Sequence, residues 1–162
     1  MKKLLAAVAI AAVSAGAHAV PYTIGSGWAT TSFGGAGSTV TPTYEFTVAS
    51  GEVHLTVTDA FLSGDRFDVT DFGSSIGLTS APASSGVQIG SDYDSAAAGA
   101  DWSTRVWRLG PGSYSISGIA VTSPFGSGGA ALRVDAVSEP ASLALIGLGI
   151  AGLGFAARRR RA

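Results

Sequence analysis

Apolar residues are spread along this chain in three ways, and each predicts a different element. Leu4 to Val13 is an unbroken apolar run of ten residues. Ala141 to Ala157 is a longer uncharged run of seventeen, interrupted only by the hydroxyl of Ser142. Between them apolar and polar positions alternate. Val53, Leu55 and Val57 interleave with His54, Thr56 and Thr58, the period of two that a half-buried strand requires. Leu132, Val134 and Ala136 repeat the pattern near the end of this middle segment.

Further strands are predicted at 44–48, 66–70, 76–79 and 102–109. Gly-rich turns separate them at 33–38, 73–75 and 125–129. Tyr114 and Ile116 share one parity while Ile119 and Val121 take the other, so a β-bulge is predicted at Gly118. Residues 95–99 have the composition of a single helical turn. The middle segment, 20–136, thus reads as one all-β domain, a single β-sandwich or jelly-roll-like ectodomain.

The two apolar runs differ in length and flanks. Lys2 and Lys3 precede the first, which is too short to span a bilayer, and Ala17 and Ala19 place small side chains at positions −3 and −1 of a cleavage site. Residues 1–19 are therefore expected to be a signal peptide, removed by signal peptidase during export to leave Val20 first. The second run, 141–157, reaches roughly 25 Å as a helix, enough for one transmembrane helix across a thin bilayer core. Its glycines at 147, 149, 152 and 154 are tolerated in such helices. Arg158, Arg159, Arg160 and Arg161 come directly after it and act as a membrane stop, which orients the N-terminus outside and the C-terminus in the cytoplasm.

Charge narrows the function classes. With the terminal cations set aside, four arginines face ten acids in the middle segment, which has no lysine. No basic footprint for nucleic acid exists there. The chain has no cysteine, so thiolate catalysis, zinc–thiolate sites and disulfide staples are excluded.

Just before the second apolar run stand Val137, Ser138, Glu139 and Pro140. Pro140 lacks an N–H and biases Glu139 toward extended backbone, the form a peptide takes in an enzyme cleft. From Val137 to Ala162 the chain resembles the PEP-CTERM family of exported proteins. Their tails carry a Val-Pro-Glu-Pro-type motif, one hydrophobic helix and a basic cluster. Ser138 replaces the commoner proline. The resemblance implies an exosortase-like transpeptidase as partner, and release or transfer of the ectodomain in bacteria that make exopolysaccharide. Such tails also carry the label of an ice-binding protein C-terminal domain, yet two Thr-x-Thr stretches, 41–43 and 56–58, do not make an ice-binding ladder. The stretch 58–69, with its Gly64-Asp65-Arg66-Phe67 core, also resembles a segment recurring in PEP-CTERM ectodomains and implies a β-sandwich.

Candidate chemistry in the ectodomain is sparse. His54 is the only histidine after the signal peptide, and its place on an alternating strand beside Thr56 marks a surface residue. Asp59, Asp65, Asp68 and Asp71 fall within thirteen residues and are candidate calcium ligands, with turn formation as the simpler role. Trp28, Trp102 and Trp107 are candidate carbohydrate contacts; the opposite parity of the last two sends at least one into the core. Together these features describe a non-enzymatic, exported protein of the cell surface or exopolysaccharide. Its membrane-anchored precursor is processed by an exosortase. The alternatives are a secreted polysaccharide-acting hydrolase, or an uncleaved single-pass envelope protein with a carbohydrate-binding ectodomain.

Replacing Ala19 with Arg is expected to block signal cleavage, because the peptidase accepts only small residues at −1. Mass measurement should show the heavier precursor, whereas wild type should yield a chain that begins at Val20.

Overall fold

The computed structural model describes residues 19–137. Eleven strands and one short helix run in order: β1 Ala19–Pro21, β2 Ala29–Phe33, β3 Thr39–Val48, β4 Val53–Asp59, β5 Phe61–Leu62, β6 Arg66–Asp71, β7 Ser74–Leu78, β8 Gln88–Gly90, α1 Tyr93–Ala98, β9 Thr104–Leu109, β10 Gly112–Thr122 and β11 Gly128–Ala136. Expectations that fall on Ala17, on Ser138, Glu139 and Pro140, on the helix 141–157 and on Arg158 to Arg161 lie outside the described residues. Among the described residues no helix is long and apolar enough to cross a membrane.

Nine strands form one sheet, along the path β7-β6-β10-β3-β2-β11-β4-β9 with β1 added in parallel to β3. The path folds over on itself where β2 and β3 meet through a single pair, Ser32 and Thr41. This makes two layers, β7-β6-β10-β3-β1 and β2-β11-β4-β9, with the core between them. Core side chains come from alternate positions of both layers. They include Tyr44, Phe46 and Val48 of β3, Val53, Leu55 and Val57 of β4, Phe67 and Val69 of β6, Ile116 of β10, and Leu132 and Val134 of β11. The all-β expectation holds, and every strand expected from alternation is present.

The strands that sequence alternation did not reveal are two or three residues long or have little apolar content. In β2 only Phe33 is buried, and its other side chains are small or hydroxylated. The strand β9 starts at Thr104 and not at Trp102, which is buried just before it.

The irregularity expected at Gly118 is present as a register shift between Ile116 and Gly118, but its extra residues are on the neighbouring strand. Pairing of β10 with β3 shifts between Ile116↔Tyr44 and Gly118↔Val40, so the extra residues are on β3, around Pro42, which has no N–H to give to a ladder. The slip is two residues, and a slip of two preserves the facing of every side chain. Ile116 and Ala120 therefore both stay buried, and Ile119 and Val121 point outward, 41% and 43% exposed. Gly118 also serves a close approach: a Cβ there would lie 2.9 Å from the backbone oxygen of Asp68 on β6.

The outer face of the second layer is partly covered as well. Thr56 and Thr58, predicted to face solvent, are buried. The helix α1 lies against β4 and β9, and Trp102 packs beneath it. Asp92 caps α1 by accepting the Ser95 N–H at 3.1 Å and the Ser95 hydroxyl at 2.8 Å, which holds its carboxyl below the usual range.

Two substitutions separate these roles, and a third tests the close approach. Ile119→Ser should change unfolding free energy by less than about 0.5 kcal/mol, as surface changes do, whereas Ile116→Ala should cost about 3 kcal/mol. Gly118→Ala should cost about 1–3 kcal/mol by forcing β10 from β6. Urea unfolding midpoints measure all three.

Candidate functional site

Three places on the described residues combine exposure or chemistry in an unusual way. The first is the outer face of the β7-β6-β10-β3 layer. Because Val40, Tyr44, Phe46 and Val48 point inward, Thr39, Thr43, Glu45 and Thr47 point outward. Strand β10 sets Ser113 opposite Thr47 and Ser115 opposite Glu45, and β6 sets Thr70 opposite Ser117. The result is a hydroxyl-lined shallow groove with Ile119 at one side. Phe72 stands over it, 66% exposed, and also borders a second hollow lined by Glu45, Thr47 and Ser113.

The local sequence explains how Phe72 is held there. Asp71 pairs with Ser74, so Phe72 and Gly73 form a two-residue hairpin turn, with φ of 46° and 78°. A turn with positive φ at both central residues favours Asn-Gly, and a bulky residue in the first position is strained. The Phe72 N–H donates to Ser115 O at 2.9 Å, and Asp71 Oδ1 accepts the Ser115 N–H at 2.8 Å. These bonds fix the ring beside the groove. The sequence marked a Gly-rich turn at 73–75 and gave Phe72 no role; the available signal was an aromatic next to the turn glycine.

The second place gathers Trp28, Tyr93, Asp94, Arg133 and Asp135 on the opposite layer. Extending the β2–β11 register sets Trp28 beside Arg133. The guanidinium lies 4.5 Å from the indole centroid, and Tyr93 leans on the indole at 5.8 Å. Asp94 Oδ1 accepts both the Trp28 indole N–H at 3.1 Å and Arg133 at 2.7 Å, while Asp135 takes the other side of the guanidinium at 2.7 Å. Trp28 remains partly exposed. The other two tryptophans are buried. Trp107 is in the core and donates its indole N–H to Ile76 O at 2.9 Å, and Trp102 is buried under α1. The carbohydrate-contact expectation for Trp102 and Trp107 is corrected accordingly, because neither shows a free ring face.

The third place holds part of the aspartate group. Asp59 and Asp65 come together, 0% and 6% exposed, at the end of the fold where β4 stops and β6 starts. Burial, then the adjacent Asp65 charge, push the Asp59 carboxyl up to about 8; burial raises Asp65 as well. Asp68 and Asp71 do not join them. Asp68 accepts from the Ser75 hydroxyl at 2.5 Å, and Asp71 braces the Phe72 turn, so the four-ligand expectation reduces to two. Among the described residues no three His, Cys, Asp or Glu side chains converge as metal ligands. His54 is half-buried on β4, opposite Arg108 and Asp135, and its Nε2 has no hydrogen-bond partner.

The last described strand ends where the tail motif begins. Strand β11 stops at Ala136, and the Val137 N–H donates to Glu52 O at 2.9 Å. Ala136 and Val137 border a cleft with the 49–53 turn and Ile24. Val20, the residue expected at the new N-terminus after signal cleavage, is already paired, opposite Tyr44 in β1.

Comparison with known proteins adds to this at one end of the chain. No curated protein matches the sequence. Among solved structures, the pre-peptidase C-terminal domain of a collagenase from Bacillus anthracis aligns with a TM-score of 0.42 and 18% identity, over 72% of this chain and 94% of that one. Residues 136–161 match the family described as the PEP-CTERM protein-sorting motif, in agreement with the resemblance carried by Val137 to Pro140, the apolar run and the arginines. The chain therefore carries a PEP-CTERM protein-sorting motif, the mark of an exported, surface-directed protein with an exosortase-type processing partner.

Proposed function

We propose that this chain is the precursor of a non-catalytic extracellular protein, held N-terminus outside by its C-terminal helix until an exosortase acts at residues 137–140. The released β-sandwich then associates with exopolysaccharide. The observation that carries this reading is the junction at Ala136: the last strand ends there, and the sorting motif starts at the same residue. A finished domain leading directly into a sorting tail suits a cargo whose tail is handled separately. The buried state of the Asp59 and Asp65 pair supports the non-catalytic part, since a glycosidase needs its two carboxyls on a substrate cleft.

The groove beside Phe72 supports the polysaccharide part. A neutral glycan presents hydroxyls and apolar ring faces. The groove offers Thr and Ser hydroxyls, which donate and accept, beside an exposed aromatic platform. The half-exposed Trp28 with its polar neighbours is a second platform of the same kind.

Glu139→Ala should leave membrane insertion intact, because the hydrophobic run is untouched, and should abolish or sharply reduce tail removal. Mass measurement of the extracellular fraction in an exosortase-bearing host checks this; equal release of wild type and variant would refute the sorting step. Phe72→Ala should weaken retention on the host's own exopolysaccharide by about tenfold, roughly 1.4 kcal/mol of one aromatic contact. Its fold should be unharmed, because the ring is exposed. Unchanged retention in a sedimentation assay would remove the groove from the reading.

A further inference from the structure

The Asp59 and Asp65 pair buries two neighbouring carboxyls, 0% and 6% exposed. Asp59 accepts the Ala60 N–H at 2.8 Å and the Asp65 N–H at 3.2 Å, so its oxygens meet neutral donors only. Asp65 Oδ1 is buried and accepts no hydrogen bond at all. The acids that form ion pairs among the described residues are Glu52, Asp94 and Asp135, and neither member of this pair is among them. A buried carboxylate without a cation or a full set of donors costs several kcal/mol by order of magnitude. A bound proton neutralises one carboxyl of the pair, and a cation would neutralise both.

The surroundings define what it is. Gly128 lies beside the pair, where a Cβ would meet the Phe33 ring at 2.6 Å and Asp65 Oδ2 at 3.2 Å, so only a glycine lets that backbone approach the carboxylate. The Ser123 hydroxyl donates to Gly126 O, and its oxygen lies on the Asp65 side of the same turn. Ser63 is buried in the same turn, and Gly64 packs closely on Pro124 and Ser85, which brings the segments around residues 59–65, 85 and 123–128 together. The available donors are oxygens: carboxylate, hydroxyl and loop carbonyl. The chain has no thiol. Irregular, all-oxygen coordination from loops suits calcium, whereas zinc prefers nitrogen and sulfur, and magnesium surrenders its water reluctantly to a buried site.

We propose that Asp59 and Asp65 bind one calcium ion, which ties the β4–β6 connection to the β10–β11 connection. The ion takes the place of a disulfide in an exported domain without cysteine. Its binding site lies at the end of the fold opposite the sorting tail, and its failure leaves the sorting step untouched.

The test uses the full chain, extracted in detergent and freed of metal by chelation, with thermal unfolding followed by tryptophan fluorescence. Calcium at about a hundred times its Kd should raise Tm by about 5–10 °C over EDTA. Asp65→Asn should lose that rise, and Asp68→Asn, whose carboxyl stands apart, should keep it. Coincident wild-type curves in calcium and EDTA overturn the proposal, as does an undiminished rise in Asp65→Asn. An equal rise with magnesium overturns the choice of ion. Should Asp65→Asn fail to fold, titration calorimetry on the wild-type chain decides: one calcium bound per chain upholds the site, and none overturns it.

Discussion

The two ends of the strand path, β7 and β9, are joined mainly by side chains, and the core depends on that seam. The indole of Trp107 donates to Ile76 O, and Arg105 donates to Leu78 O at 3.0 Å while its guanidinium rests 5.0 Å from the Trp107 ring. Beyond β7, the Ser80 N–H donates to Thr104 O and the Thr104 N–H donates to the Ser80 hydroxyl, each at 3.0 Å. Thr79 completes the join through Phe67 on one side and Ser103 on the other. A sheet edge left open exposes unpaired backbone and invites another chain to pair with it. Here side chains of β9 engage carbonyls of β7, which draws the two edges together and closes over the core without a covalent link.

That closure also explains which parts of the fold the sequence could announce. Strands with one buried face alternate visibly, as Val53 to Val57 do, and they were legible. The seam is made by Arg105, Thr79 and Ser80, whose residue types look like surface or turn. Their role arises from partners far away in the chain. The same is true of β2, whose Thr and Ser residues matter through their pairing with β11. Residues Thr56 and Thr58 were misplaced because alternation reports only that two faces differ. It does not report whether the polar face is covered later by α1 and Trp102.

The sites obey the same rule. The tail was legible because its signal is local and ordered: motif, apolar run, arginines. The aspartates were legible as a group but not as a pair, since burial alone separates Asp59 and Asp65 from Asp68 and Asp71. Phe72 was hidden in a turn, and its exposure and positive φ become meaningful only when the hydroxyls of β3 and β10 are seen beside it. At Gly118 the irregularity was legible, but not that its extra residues lie on β3 around Pro42, nor that the close approach of β6 also requires the glycine.

The hydrogen bond from Val137 to Glu52 has a consequence for leverage. Residue 137 opens the sorting motif, yet its backbone is still fastened to the turn between β3 and β4. The same turn, Ala49 to Glu52, borders a cleft with Ala136 and Val137. Any pull along the chain at Val137 is therefore passed to the turn between β3 and β4 as well as to β11.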